Sequence, residues 1–532
     1  MNKKKILTVE ENFVLALQNH KKNNYENAKK FYIDALKLNP NYLAAHNNLG
    51  ILFNQLGEYQ KATKCFEKVI QINQNDSVAH NNLGNIHKKL GEYQKAIKCF
   101  EKAIEIKPKY SDAFYNLANT LNEIGEHQKA IKCFEKAIEI LPNNTNAFFN
   151  LGNIYKNLGE YQKAINYFEK VIQIKPNYAD AYNNLGITLN EIGEYDKAIS
   201  YIEKAIQINP KYIDAHNNLG NIQKKLGEHQ IAKSLYEKAT QIDPDNLTSH
   251  WLSMNIFPVI YENLDEIDQY RKNFANKIKK VNLMLEKQSQ YSKKKLLNAL
   301  NSSTNFYLHY QGRDVLELQQ NYARLIEKIT QNVYKKFHKQ REKNVSSKYI
   351  RIGFVSSFFR KHTISKLFKN WIIKINKKHF KKFVYYVGNK FDDTTKEIRQ
   401  NVDYFFNHID LDKLINQISK DNLDVLIYLD IGMKSKIQIL SSLRLAPIQC
   451  NTWGHPVTSG FKNIDYYFSG ELMEDKKSQK YYSEKLVVLP NLGINYDFPN
   501  ISNIKKPILL NKSNATIFLN LQSLFKLLPQ ED

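Results

Sequence analysis

The 532-residue chain is too long for a single compact core, and its 42% hydrophobic content is enough to build several folded domains. Its N-terminus, MNKKKILTVEENF, lacks the apolar core of a secretory signal. No apolar stretch reaches the roughly 18 to 20 residues that a membrane span requires. We therefore expect a cytoplasmic protein without a membrane partner.

The formal charge of +24 raises the question of a nucleic-acid partner. The excess is nearly all lysine, arginine is absent before Arg271, and no basic tract alternates with aromatic residues. A base-composition bias of the genome would produce the same abundance of Lys, Asn and Ile. We expect no nucleic-acid partner.

A 34-residue period runs through residues 9–244. In one unit, Leu83, Ile86 and Leu90 lie on one helical face, Gly91 ends that helix, and a second apolar stripe begins at Tyr93. The pattern resembles the tetratricopeptide repeat and predicts stacked helix pairs that form a superhelix with a concave groove. The residues in phase include Leu49, Leu83, Leu117, Leu151, Leu185 and Leu219, and Gly57, Gly91, Gly125, Gly159, Gly193 and Gly227.

An asparagine precedes the phase-marking leucine in all six of these units, whereas the residue before it varies. A carboxamide carries both a donor and an acceptor, so a row of them along a groove can bind the backbone of an extended peptide. The alternative is that they cap or space adjacent repeats, and the residues alone leave both interpretations open. The series is Asn48, Asn82, Asn116, Asn150, Asn184 and Asn218.

The period fails after Pro244, and residues 245–346 are predicted to be a helical connector. From Tyr349 onward, short apolar runs such as YIRIGFVSS, FVYYVG, VLIYLDIG and PIQCNTWG alternate with helical segments. This alternation predicts a parallel, doubly wound sheet. Because ligands collect at the carboxyl ends of such strands, the loops that carry His362, Asp430, His455 and Ser459 are the candidate site.

Several common catalytic signatures are missing. The sequence contains no P-loop, no dinucleotide-binding GxGxxG and no GxSxG nucleophile elbow. His residues are scattered, Cys65, Cys99 and Cys133 are copies of one repeat position, and Cys450 stands alone. We expect neither a metal site nor a bound cofactor.

Four segments of the second half, RIGFVSSFFRKHTISKL, LRLAPIQCNTWGHPVTSGFKNIDYYF, YYSEKLVVLPNLGINYD and FLNLQSLFKLLPQ, resemble the SPINDLY-like protein O-GlcNAc transferases. Together with the repeats and the connector motif FYLHYQGRD, the resemblance covers almost the whole chain. It implies two facing Rossmann-like halves of a GT-B fold. It also implies inverting, metal-free transfer of a sugar from a nucleotide sugar to an acceptor protein. In that family the acceptor lies in the repeat groove, which the asparagine series lines.

The resemblance also assigns roles to individual residues. His362 matches an active-site histidine, and His455 lies in the loop near the sugar. Lys526 matches the lysine that contacts the nucleotide diphosphate, with Gln522 and Ser523 in the same nucleotide-contacting segment. A fixed ammonium stabilises the charge on a diphosphate leaving group, and an imidazole can orient or deprotonate an acceptor hydroxyl. Met433 replaces a histidine that the family often carries, so the sugar or acceptor preference is open.

The expected domains are the repeats at 9–244, the connector at 245–346, a first Rossmann-like half at 347–510 and the start of a second half at 511–532. Since the sequence ends six residues after Lys526, we expect the second half to be truncated and this chain to be unable to turn over a nucleotide sugar. ATIFLNL would then be a central strand without its partners.

The sequence therefore predicts a protein glycosyltransferase that moves N-acetylglucosamine from UDP-GlcNAc to Ser or Thr hydroxyls of proteins held by the repeats. Two alternatives stay open. One is a related transferase that attaches glucose to Asn or fucose to a hydroxyl. The other is a tetratricopeptide scaffold that binds peptides without catalysis.

Overall fold

The structure is a computed structural model that describes residues 7–287, 291–342, 348–454 and 457–494. The chain divides into two compact units between Ala215 and His216, within helix α13. Fourteen helices of 13 or 14 residues come first. They are α1 Val9–Lys21, α2 Tyr25–Leu38, α3 Leu43–Gln55, α4 Tyr59–Ile72, α5 Ser77–Lys89, α6 Tyr93–Ile106, α7 Ser111–Glu123, α8 His127–Ile140, α9 Thr145–Asn157, α10 Tyr161–Ile174, α11 Ala179–Glu191, α12 Tyr195–Ile208, α13 Ile213–Lys225 and α14 His229–Ile242.

In four of the repeats the two helices pair through a glycine that faces an aromatic ring, whereas Gly186 faces Ile202 and another repeat has Ala118 at this position. A Cβ atom added to Gly84 would lie 2.6 Å from the ring of Phe100, and one added to Gly152 would lie 2.6 Å from the ring of Phe168. Both rings are fully buried. A second glycine, such as Gly91 with φ of +76°, ends the first helix in a left-handed turn that lets the chain reverse.

The second unit begins with helical connector elements and continues into a sheet. The connector helices are α15 Leu247–Met254, α16 Leu264–Lys287, α17 Lys293–Ser302 and α18 Leu316–Val333, with 3-10 turns at Phe306–Tyr310 and Lys335–Phe337. The sheet region contains β1 Ile350–Ser356, α19 Thr363–Lys374, β2 Phe380–Tyr386, α20 Asp393–Gln400, β3 Tyr404–Asn407, α21 Leu411–Lys420, β4 Val425–Tyr428, α22 Ser435–Ser441, β5 Ile448–Thr452, β6 Tyr466–Gly470 and β7 Lys485–Leu489, with a 3-10 turn at Ser478–Tyr481.

The seven strands are all parallel, in the order β3-β2-β1-β4-β5-β6-β7. One face packs on the connector helices together with α21 and α22, through buried side chains such as Tyr322, Tyr385 and Tyr428. The other face packs on α19 and α20, around Phe354, Phe368 and other apolar side chains. With helices on both faces, both sides of the strands are apolar, which explains their uninterrupted hydrophobic runs.

The predicted fold class, a helical repeat array followed by a parallel α/β domain, is confirmed. Strand β3, whose residues are YFFN, was not predicted from the sequence. The segment 511–532, expected to begin a second Rossmann-like half, lies outside the described residues. The proposed boundaries at 244, 346 and 510 remain predictions.

Candidate active site at the carboxyl edge of the sheet

The strand order reverses between β1 and β4, and this switch point is where doubly wound sheets bind ligands. β1 is paired with β2 on one side and with β4 on the other, so the loops that follow β1 and β4 leave the sheet in opposite directions. The crevice between them is bordered by Ser357 and Asp430. Both loops come from segments that the sequence singled out.

Asp430 is a fully buried carboxyl group immediately beyond β4. Its Oδ2 accepts a hydrogen bond of 3.2 Å from the backbone N–H of Ser357, and so joins the two loops across the switch point. Its Oδ1 has no hydrogen-bond partner among the described residues. Burial raises the pKa of Asp430 to about 7, although hydrogen bonds from Ser357 and Ser356 and the charge of Lys434 act in the opposite direction.

His362 is the N-cap residue of α19, at the end of the loop that follows β1. Its Nδ1 accepts a hydrogen bond of 3.2 Å from the backbone N–H of Ile364. Its ring stacks on Phe358 at a centroid distance of 4.0 Å and an interplanar angle of 11°. The side chain is half-buried, and burial lowers its pKa, as do the charges of Arg360 and Lys434.

These contacts favour one protonation state of the His362 ring. A lowered pKa favours the neutral imidazole, and a neutral ring whose Nδ1 accepts a hydrogen bond carries its proton on Nε2. The Nε2–H is therefore a donor. In this state His362 can orient an oxygen atom, whereas removal of a proton by Nε2 would first require a change of tautomer.

The loop after β5 passes very close to the loop after β4. A Cβ atom on Gly454 would lie 2.0 Å from the carbonyl oxygen of Leu429, so only glycine fits without a backbone shift. Thr452 also donates a hydrogen bond of 3.4 Å to that carbonyl. Both side-chain amide atoms of Asn451 and the indole Nε1 of Trp453 have no hydrogen-bond partner among the described residues. Unpaired polar groups of this kind are costly in a core, so these atoms are candidates for contacts with a ligand at this edge.

A buried carboxylate organises the continuation of this loop. Glu484 accepts hydrogen bonds from the hydroxyl of Thr458 at 2.6 Å and from the backbone N–H of Ser459 at 2.7 Å, and it also contacts the Ser459 hydroxyl. Gln319 of connector helix α18 donates a hydrogen bond of 3.0 Å to the Ser459 carbonyl. The connector and Glu484 thus both hold the Thr458–Gly460 segment in place.

The structure describes only part of the site that the sequence predicted. His362 and Asp430 lie on the two loops of the switch point. His455, Gln522, Ser523 and Lys526 lie outside the described residues, and their roles remain predictions. The sequence did not reveal Asn451, Trp453 or Glu484, because an isolated polar residue in a strand or beside a lysine carries no local signal.

The six asparagines of the repeats are all half-buried. The side-chain amide groups of Asn48 and Asn184 donate to backbone carbonyls four residues earlier, at 2.8 and 2.9 Å. Those of Asn116 and Asn150 donate instead to Asn81 and Asn119 of the preceding repeat, at 3.0 and 2.9 Å. The series thus makes contacts that space adjacent repeats and still presents part of each amide to solvent, so both interpretations stand.

Two general properties of the described residues bear on the site. Within them, no group of three or more His, Cys, Asp or Glu side chains is placed to hold a metal ion. None of the helices in the described ranges is long and apolar enough to span a bilayer.

The chain matches two kinds of known protein family. Glycosyl transferase family 41 matches residues 270–517. Tetratricopeptide repeats match residues 13–42 and six consecutive units from 44 to 246. The family 41 match therefore includes most of connector helix α16, all of α17 and α18, and the whole sheet.

Individual relatives point in the same direction. The chain is 30% identical over 147 residues to the probable UDP-N-acetylglucosamine--peptide N-acetylglucosaminyltransferase SEC of Arabidopsis thaliana, covering 27% of this chain and 15% of the relative. It is 26% identical over 155 residues to the probable enzyme of the same description named SPINDLY from that plant, covering 28% and 17%. These matches span less than a fifth of the curated relatives.

A solved structure of a mutant Thermobaculum terrenum O-GlcNAc transferase is similar over 66% of this chain and 58% of its own, with 17% identity and a TM-score of 0.46. The family assignment rests on the sequence matches to the repeats and to the transferase domain. The chain therefore carries tetratricopeptide repeats followed by a glycosyl transferase family 41 domain, and it is homologous to the O-GlcNAc transferases SEC and SPINDLY.

Proposed function

We propose that the protein transfers N-acetylglucosamine from UDP-GlcNAc to Ser or Thr hydroxyls of proteins, with inversion and without a metal ion. The observation that carries this proposal is the family 41 match over residues 270–517. The relatives' names, which specify UDP-N-acetylglucosamine and a peptide, support the choice of donor and acceptor.

In this proposal the acceptor hydroxyl approaches the crevice between the β1 and β4 loops. The acceptor oxygen attacks the anomeric carbon of the sugar while the bond to the diphosphate breaks, and the hydroxyl proton passes to the departing diphosphate. The His362 Nε2–H orients an oxygen of the sugar or the acceptor. This raises the transfer rate, because the geometry at the reacting atoms limits it. Lys526, together with Gln522 and Ser523, would stabilise the departing diphosphate, and His455 would contact the sugar.

Asp430 acts in this scheme as a positioning residue. Its side chain is fully buried, so it does not contact substrate directly, but its carboxylate holds the Ser357 N–H and with it the loop that leads to His362. A carboxyl group with a pKa of about 7 gains or loses its charge near neutral pH. The loop contact therefore changes in strength over the range in which the enzyme would work.

The donor and acceptor are tested with the protein expressed from its complete gene, in buffer containing EDTA. UDP-GlcNAc, UDP-glucose and GDP-fucose are supplied in turn with a mixture of acceptor proteins, and the modified residues are mapped by mass spectrometry. We expect N-acetylhexosamine on Ser or Thr. Glucose on Asn, or fucose on a hydroxyl, would contradict the proposed donor; binding without transfer of any sugar would contradict the enzymatic proposal and favour the scaffold.

The repeats are proposed to hold the acceptor through the asparagine series. Replacing Asn48, Asn82, Asn116, Asn150 and Asn184 together by Ala should weaken binding of an acceptor peptide, measured by fluorescence anisotropy. The matched control replaces five exposed asparagines of the turns between helices, Asn24, Asn41, Asn75, Asn143 and Asn177. Equal affinity of both variants would assign the series a purely structural role.

A further inference from the structure

Connector helices α16 and α18 form the walls of a groove of about 600 Å³. Its floor is apolar and includes Ile278 and Leu325, both of which are buried. On each helix the lining residues recur at intervals of three or four positions over about three turns, or roughly 15 Å. The groove is therefore long and straight, and it is lined by two parallel helical stripes.

The rims of the groove are strongly basic. Lys and Arg make up five of its twelve lining residues, compared with 77 of 532 in the whole chain, so the general lysine excess does not explain them. Glu317 is the single acidic residue among those lining it. The five cations are Arg271, Lys272 and Lys279 on α16, and Arg324 and Lys328 on α18.

The cations differ in their present contacts. Arg271 donates to Gln311 at 3.3 Å and to the Asp314 carbonyl, and Lys328 forms an ion pair of 2.9 Å with Glu286. These two side chains are held in the wall. Lys272 and Lys279 are exposed, and because they lie seven residues apart, two turns of one helix, they project from the same rim.

We propose that this groove binds an acidic amphipathic helix of a partner protein. The apolar face of such a helix would contact the partly exposed Ala275 and Leu318, and its flanking carboxylates would meet Lys272, Lys279 and Arg324. This is the helix-in-groove mode of peptide recognition, in which apolar anchors supply affinity and rim charges supply specificity and association rate. It is separate from the sugar-transfer site and does not depend on the proposed donor or acceptor.

The same features disfavour nucleic acid as the occupant. Single-stranded nucleic acids bind through a basic track with aromatic side chains on which the bases stack. None of the described residues that line the groove is aromatic, and its floor is aliphatic. Phosphate groups make no favourable contact with an aliphatic floor. Leucine or isoleucine side chains of a helix would bury apolar surface against it, which is favourable.

The test is binding of a fluorescein-labelled helical peptide of about 11 residues, or three turns, with Leu at positions i, i+3, i+4 and i+7 and Glu elsewhere. Fluorescence anisotropy is measured with the full chain at low and moderate salt. We expect the variant with Lys272→Glu and Lys279→Glu to bind about tenfold or more weakly, because two attractive charges become repulsive. The matched control reverses two exposed lysines of the same helix that do not line the groove, Lys280→Glu and Lys287→Glu.

A second probe has the same composition in a scrambled order that breaks the apolar face, and a third is a single-stranded RNA. Tight binding of the first peptide alone, lost in the groove variant and kept in the control, supports the proposal. Equal binding of the scrambled peptide, stronger binding of RNA, or equal losses in both lysine variants would each overturn it. Ala275→Trp, which fills the groove without changing charge, should weaken the peptide complex as well, and unchanged affinity would contradict the proposed location.

Discussion

The helical repeats of the first compact unit and the second compact unit, called here the sheet unit, reach close packing in different ways. In the repeats one contact recurs, a glycine against a buried ring, as in Gly84 with Phe100 and Gly152 with Phe168. In the sheet unit each close approach occurs once, as between Gly454 and the Leu429 carbonyl. If a recurring contact is lost in one repeat, the same contact in the other repeats remains. If the single contact at the switch point is lost, no other copy of it remains in the protein.

The largest expected effect is a local loss of stability within the repeats. Phe168→Ala should lower the local stability around α9 and α10 by about 3–5 kcal/mol, because it removes a fully buried ring. Hydrogen exchange should rise in those helices and less in distant repeats, since repeats contact mainly their neighbours. Tryptophan fluorescence gives a control, because Trp251, Trp371 and Trp453 all belong to the second unit. Equal loss of protection from α1 to α12 would contradict the repeat-by-repeat account.

The next effect concerns the unique contact in the sheet unit. Gly454→Ala should destabilise that unit by roughly 2–4 kcal/mol, because the new methyl group meets a backbone oxygen rather than a movable side chain. Urea unfolding followed by tryptophan fluorescence measures the change. A variant with unaltered stability would show that the loops after β4 and β5 can separate freely.

A comparable effect of opposite sign is expected at Asp430. Its pKa is about 7 in the folded protein, above the ordinary 3.8, so the folded state holds the proton more tightly and loses stability as the pH rises from about 4 to about 7. Asp430→Asn removes this dependence and keeps an oxygen for the Ser357 N–H. At pH 8 we expect the second unit to gain roughly 2–3 kcal/mol relative to the original protein.

The measurement for Asp430→Asn is urea unfolding at pH 5 and pH 8, followed by tryptophan fluorescence. The difference between the two proteins should be larger at pH 8. A larger difference at pH 5 would mean that the carboxylate is stabilised in the fold, contrary to the pKa shift. Loss of transfer activity in a stabilised variant would show that the charge of Asp430 matters beyond its hydrogen bond to the Ser357 N–H, since a merely destabilised protein cannot explain it.

The smallest effect tests the tolerance of the repeats. Gly152→Ala should change local stability by about 1 kcal/mol or less, because the equivalent position of another repeat is already Ala118, and both Ala118 and Phe134 of that repeat are fully buried. Hydrogen exchange of α9 and α10 measures it. A loss as large as that of Gly454→Ala would show that the repeat contacts are as demanding as those of the site.

The two regions also differ in how far their sequences predict their structures. The 34-residue period repeats the leucine and the turn glycine in six units, and the packing glycine and the aromatic residue in five of them, so helices and buried faces follow from local pattern. The strands of the sheet unit were predicted from apolar runs, except β3, whose four residues YFFN are short and lie at the sheet edge. Strand order was not predictable, because it depends on pairings distant in sequence.

The site was predicted only where a loop motif marks it. His362 and Asp430 follow strand-like runs, so the sequence placed both at the carboxyl edge. Because Glu484 is followed by a lysine, its sequence context predicts a solvated surface charge. In the structure it is 2% exposed and accepts hydrogen bonds from the Thr458 and Ser459 hydroxyls. Its role depends on a fold that brings β7 and the β5 loop together, and no local pattern records that juxtaposition.

The central claim is that sugar transfer takes place at the switch point between β1 and β4. It is tested most directly by the transfer rate of the complete protein carrying His362→Ala, compared with His379→Ala, an exposed histidine in the same sheet unit. We predict that kcat/KM falls at least about tenfold in the first variant, because a donor at the reacting groups is lost, and stays unchanged in the second. An undiminished rate in His362→Ala, with the fold intact by tryptophan fluorescence, would contradict the account.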